Sequence, residues 1–220
     1  MATSGTNSFD LDVDQVIEEA FERCGLNSRS GYDLKSARRS LNIMLAEWAN
    51  RGINLWTVEL RTKTLAGSTT SYTLDSDLVD VLEAVVFTAS DSSTDIEVDR
   101  ISRAEYLNLP NKSTEARPAQ YYVERTNVPK VFLYPTPDKA YIFKYYRIRR
   151  IQDPGNYTNT LDVNFRFLPC LSAGLAYYLS LKFAPDRTAV LKTLYEEEFA
   201  RAAAEDRDTA SVSFVPQVGA

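Results

Sequence analysis

The sequence has no histidine, and so lacks the side chain most often used to move protons near neutral pH. Cysteine is scarce as well. Cys24 and Cys170 are the only two, far apart and each among apolar neighbours, a spacing of neither a zinc site nor a disulfide framework. They are expected to be buried thiols in a reducing compartment, behaving as small hydrophobes. No stretch approaches the roughly 18 consecutive apolar residues of a membrane span, and the opening MATSGTNSFD lacks the apolar core of a secretory signal. No membrane partner is expected. The 8 glycines include no phosphate-cradling loop, and no G-x-S-x-G turn presents a nucleophile. The chain is therefore read as a non-enzyme: no catalytic, cofactor-binding or metal-ligating residue is assigned, and no cofactor.

What is present is length, an acidic balance and clear changes of period. With 220 residues the chain is long enough for one large domain or two small ones, burying roughly 70% of its extended surface. The formal charge of −5 argues against a protein that grips nucleic acid, which needs clustered Lys and Arg against phosphate. Such a surface suits DNA that passes without sticking.

Residues 1–52 read as helical. Val13, Val16, Ile17, Ala20, Phe21 and Cys24 recur three and four apart, one face of a helix that Gly25 is placed to end. A second helix follows SGYD, with Leu34, Ala37, Leu41, Leu45 and Trp48 on its stripe, Met44 widening it and Gly52 closing it. Residues 53–152 change period. Turn clusters separate segments rich in Val, Ile, Tyr, Phe and Thr, which predict strands near 55–65, 82–89, 95–100, 119–124, 130–134 and 140–150. Pro135 and Pro137 punctuate the connection between the last two. Ser102 and Glu105 have capping-box spacing for a short helix to Leu109. Residues 153–208 return to helix: one capped by Asn164 or Asp162 and running to Phe183, with Pro169 in its first turn, and a second after Pro185-Asp186 carrying Leu191, Leu194, Tyr195, Phe199 and Ala202. The predicted class is α+β. A four-helix bundle is formed by the N- and C-terminal thirds, with an inserted antiparallel β-sandwich-like domain. Trp48 is expected in the seam between bundle and insert. Residues 209–220 form an extended C-terminal arm.

The stretch Leu41-Asn42-Ile43-Met44-Leu45-Ala46-Glu47-Trp48, followed by Arg51-Gly52-Ile53-Asn54-Leu55-Trp56, resembles the second helix of head-to-tail adaptors of short-tailed bacteriophages. So does Arg117-Pro118-Ala119-Gln120-Tyr121-Tyr122 leading into Val131-Phe132-Leu133-Tyr134-Pro135-Thr136-Pro137-Asp138. The order of segments from about Asp12 to Asp208 is similar to that of these adaptors, also called tail tubular protein A. The resemblance implies a twelve-subunit ring beneath the portal protein and above the tail nozzle, near the tail fibres, with DNA passing through the middle without specific binding. It places the chain in the neck or tail of a virion, and in the host cytoplasm before assembly. Adaptors of this kind carry no catalytic residues.

Three internal motifs could carry chemistry. Asp95, Glu97 and Asp99 alternate and would share one strand face. They are the basis of the alternative reading, a monomeric ligand-binding module or carboxylate-metal hydrolase built on the β domain. A solvated strand face that discourages edge pairing is the plainer account. Tyr141 to Ile151 interleaves aromatics with Lys144, Arg147, Arg149 and Arg150. That pattern fits a half-buried strand, with Ile142, Tyr146 and Ile148 opposite the Arg147 and Arg149 face, or a subunit interface, or a single-strand nucleic-acid platform. Glu196 and Glu197 belong to an acidic run on the last helix, a solvated face, a portal contact or an acidic lining for the channel. Outside these, Val212, Phe214 and Val215 give the C-terminal arm an apolar, uncharged character suited to a partner groove. The interface candidates are therefore Arg147, Arg149, Arg150, Glu196, Glu197, Val212, Phe214 and Val215.

Overall fold

A computed structural model describes residues 5, 9, 11–26, 31–52, 55–88 and 91–206, with 91–93 described by backbone only. The chain opens with α1 (Val13–Arg23) and α2 (Gly31–Trp48). Ten strands follow: β1 (Val58–Leu65), β2 (Ser71–Thr73), β3 (Leu78–Thr88), β4 (Asp91–Glu97), β5 (Asp99–Arg100), β6 (Glu115–Ala116), β7 (Gln120–Glu124), β8 (Lys130–Tyr134), β9 (Thr136–Pro137) and β10 (Tyr141–Arg149). A short α3 (Arg103–Asn108) lies between β5 and β6, and α4 (Leu168–Phe183) and α5 (Thr188–Glu205) complete the order. The class is α+β, as expected. Two compact units emerge: Met1–Leu55 with Gln152–Ala220, and Trp56–Ile151.

The helical unit is organised by α4. Its sequence is apolar nearly all round, and Cys170, Leu171, Ala173, Leu175, Ala176 and Leu179 are all buried. Such a helix belongs in the middle of its neighbours, and α4 packs against α1, α2 and α5. Gly174 permits the closest approach. A Cβ there would lie 2.6 Å from Met44 Sδ of α2 and 2.7 Å from Tyr195 Cε2 of α5. The α1 stripe read from sequence, Val13 to Phe21, is buried, and Gly25 ends the helix at φ +73°. A side chain there would be strained by the positive φ and would have to displace the Arg187 guanidinium, which stands 2.8 Å from the place a Cβ would take and whose Nη1 donates to the Arg23 carbonyl at 3.3 Å. The α2 helix stops at Trp48, four residues before the expected Gly52. Asn164 caps the 3-10 turn (Phe165–Phe167) that leads into α4, with Pro169 in the first turn of α4.

Trp48 is placed differently from the expectation. It is a core residue of the helical unit, fully buried, with ring neighbours Phe167 at 5.6 Å and Phe199 at 5.8 Å. The apolar stripe of α2 is its buried face, and Phe167 and Phe199 are the ring partners of Trp48 on it.

The β unit holds two four-stranded sheets, ordered β1-β10-β3-β4 and β2-β8-β7-β5, and the small pair β6-β9. Inward residues from both four-stranded sheets, among them Leu65, Val81, Val86 and Phe143 from one and Tyr121, Val131 and Leu133 from the other, share one core. Pairing is mostly antiparallel, but β5–β7 and β6–β9 run parallel. Residues 55–57 form a 3-10 turn before β1 rather than strand. The segment 95–100, expected as one strand, is divided: β4 pairs with β3, then Val98 turns inward and β5 pairs with β7 in the other sheet. Strands β2, β6 and β9 are short additions that the turn-rich sequence did not announce. The capping box is present, with the Glu105 N–H donating to Ser102 Oγ at 3.2 Å and the Ser102 N–H to Glu105 Oε2 at 2.6 Å.

Candidate functional site

Strand β10 was the first candidate, and its pleat decides what each residue can do. Tyr141, Phe143, Tyr145 and Arg147 face inward and are buried, while Tyr146 is 46% exposed. The strand is half-buried, but the arginine face is the inner one. The reason lies in its partners. The β1–β10 register sets Glu59 directly across from Arg147, and Glu59 Oε2 accepts from Arg147 Nη2 at 3.2 Å. Asp77 accepts from both ends of the fork, 2.6 Å from Nη1 and 3.0 Å from Nη2, and Asp75 lies 3.0 Å from Nη1. A buried guanidinium is tolerated only when its charge and donors are matched. Arg147 meets both conditions except at Nε, which is buried without a partner. Arg149 Nε donates to Glu59 Oε1 at 2.7 Å. Burial raises the Asp77 and Glu59 carboxyls, but hydrogen bonds from the arginines outweigh it and leave both below their ordinary values.

Arg150 is the exposed candidate of the three. With Arg125, Asn127 and Leu78 it lines a cleft of about 330 Å³, and Arg125 itself pairs with Asp80 at 3.2 Å. The Asp95, Glu97 and Asp99 alternation does not gather into one site, because Asp99 belongs to β5 and the other sheet. Asp95 instead accepts from Lys144 at 2.6 Å. Among the described residues, no group of three or more carboxylate or thiol side chains is placed to hold a metal ion.

On α5, Glu196 and Glu197 are exposed but engaged. Glu196 receives a bidentate pair from Arg51, 2.8 Å from Nη1 and 2.9 Å from Nη2. The Arg51 guanidinium also stacks over Phe199 at 4.5 Å and Tyr195 at 4.9 Å. The Glu196 hydrogen bonds are the main cause of its raised pKa. Glu197 is 3.8 Å from Arg201 one turn on. Sequence reading missed Arg51. The signal was its spacing of four from Glu47, with which it forms an ion pair. Both thiols are buried, and burial pushes each above its ordinary value. Val212, Phe214, Val215 and the arm 209–220 lie outside the described residues.

A second concave feature lies on the helical unit. A cleft of about 550 Å³ between α1 and the start of α4 is lined by Leu11, Leu168, Pro169, Glu18, Glu19, Glu22 and Arg23. No helix among the described residues is long and apolar enough to cross a membrane. A family model described as SU10 adaptor protein matches residues 11–217. No curated protein matches the chain.

Proposed function

The chain belongs to the SU10 adaptor protein family, a family of structural phage proteins, and from that premise we propose that it is a head-to-tail adaptor of the tail tubular protein A type. Copies form a ring of twelve between the portal protein and the tail nozzle, beside the tail fibres, with the genome passing through the centre. The observation that carries this reading is the extent of the match, which runs from residue 11 to 217 and so takes in both compact units. The formal charge of −5 per copy supports a channel wall that DNA does not adhere to. The helical part acts as a four-helix bundle that carries the ring contacts, and the β part as an inserted sandwich-like domain. The arm 209–220 reaches the portal or a neighbouring copy, with Phe214 as its anchor. Among the described residues, Arg150, Glu196 and Glu197 are the exposed interface candidates.

The test uses particles. Heads assembled without this chain should carry portal but no tail, and adding the purified chain should restore tail attachment. Tailed, infectious particles assembled in its absence would end the adaptor reading.

A further inference from the structure

The charges on α1 and α2 run against the stability of the helices that carry them. In α1, Glu18 and Glu22 stand four residues apart, a like-charge spacing that repels across one turn. Glu22 also occupies the last turn, where the helix dipole is itself negative. In α2, Lys35 and Arg39 repeat the repulsion toward the end where the dipole is positive. The imbalance is sharp on both sides. Helix α1 carries Asp14, Glu18, Glu19 and Glu22 against Arg23 alone, whereas residues 31–43 carry Lys35, Arg38 and Arg39 against Asp33 alone.

Glu19 pairs with Arg23 at 2.7 Å, but Glu22, Lys35 and Arg39 are exposed and enter none of the ion pairs among the described residues. Lys182 of α4 adds to the positive side. Its ammonium donates to Ser36 Oγ at 3.2 Å and Ser40 Oγ at 2.7 Å, not to a carboxylate. Burial first, and then the charge of Arg39, push it below the ordinary lysine value.

Shape follows charge. Glu18, Glu19 and Glu22, with Arg23, line the same cleft as Leu11, Leu168 and Pro169. The outer stripe of α2 runs Tyr32, Lys35, Arg39 and Ile43, spaced three, four and four apart, with Tyr32 74% and Ile43 54% exposed. Each helical face is about 16 Å long at 1.5 Å per residue. Both helices are fixed against α4 in the same unit, so the α2 face of one chain cannot turn into its own cleft.

We infer that the Tyr32–Ile43 face of α2 in one copy seats in the α1–α4 cleft of the next, with Lys35 and Arg39 meeting Glu18 and Glu22. The occupant is a second copy of this chain. Two different, complementary faces on one subunit make a head-to-tail contact, the kind that closes into rings. The inference rests on the ring reading above and names its contact.

Charge reversal tests it. An acid-reversed chain (Glu18→Lys with Glu22→Lys), a base-reversed chain (Lys35→Glu with Arg39→Glu) and a chain with all four changes are compared with wild type by mass photometry in the presence of portal. Each half-reversed chain sets like charges across the contact and should form ring at least about tenfold less well, while the fully reversed chain should recover to within about twofold. Melting curves establish that the variants fold. If a reversal unfolds the chain, Glu22→Gln and Arg39→Gln replace it, each expected to weaken the ring and flatten its salt dependence. Half-reversed chains that form rings like wild type, or a fully reversed chain that does not recover, overturn the pairing while the ring stands. Unaltered rings together with lost duplex-DNA affinity in the base-reversed chain would overturn it and assign the α2 face to nucleic acid. A wild-type chain that forms no ring at all removes the assembly reading and this pairing together.

Discussion

The indole Nε1 of Trp48 donates to the hydroxyl of Tyr195 at 2.8 Å, and both side chains are closed off from solvent, at 0% and 1% exposure. The Tyr195 hydroxyl in turn donates a hydrogen bond to Glu47 Oε2 at 3.2 Å. This relay joins α2 to α5 across the place where Gly174 lets them approach α4. Tyr195→Phe leaves a buried indole N–H without an acceptor, at a cost of about 1–3 kcal/mol. Trp48→Ala also opens a cavity and should cost about 3–5 kcal/mol. Chemical denaturation of both variants measures this. A Trp48→Ala chain as stable as wild type would contradict the packing described.

Gly174→Ala sets two effects against each other. Alanine gains up to about 1 kcal/mol of helix propensity over glycine. The new Cβ meets Met44 Sδ and the Tyr195 ring inside 3 Å, and forced overpacking costs about 1–3 kcal/mol. Met44 can yield, but the Tyr195 ring is held by its hydrogen bonds. Overpacking should win. A lowered melting temperature is expected, and a raised one would show that the three helices have slack at this crossing.

Stability should fall in acid, and the β unit should lead. Asp77 and Glu59 titrate below their ordinary values in the folded chain because of Arg147 and Arg149. Groups with depressed folded values stabilise above the unfolded pKa, near 4, and that contribution is lost as pH falls through the folded values. Denaturant midpoints at pH 7, 4 and 3 should therefore decline, with most of the loss below about pH 4. Arg147→Ala removes a buried cation from partly exposed carboxylates, should cost about 1.5–3 kcal/mol through the lost charged hydrogen bonds, and should flatten the acid limb. An unchanged acid limb in that variant would place the titrating groups elsewhere.

Truncation after Arg207, and separately Phe214→Ala, should leave folding unchanged and weaken attachment to portal-bearing heads, since an arm that orders on contact contributes only in the assembly. Thermal melting and head-binding assays read the two effects apart. Full attachment by the truncated chain would remove the arm from the mechanism.

The helices were legible because each element states its own period. The α1 stripe, the Ser102–Glu105 cap and the apolar character of α4 were all readable from neighbours a few residues apart. What failed depended on distant partners. Alternation in β10 said that its two faces differ but not which is inner. Arg147 lies inside because Glu59, Asp75 and Asp77 arrive from 70 and more residues away. Asp95, Glu97 and Asp99 looked like one face until Val98 turned inward and moved Asp99 into a different sheet. The α1–α4 cleft was invisible for the same reason, since Leu168 and Pro169 come from the far end of the chain.

Mass photometry of the purified chain with and without portal tests most directly whether this protein is a ring-forming adaptor. Alone, the 24.8 kDa chain should be monomeric or weakly associated, and a discrete portal-bound ring should appear when portal is added. A chain that stays monomeric at every portal concentration would contradict it.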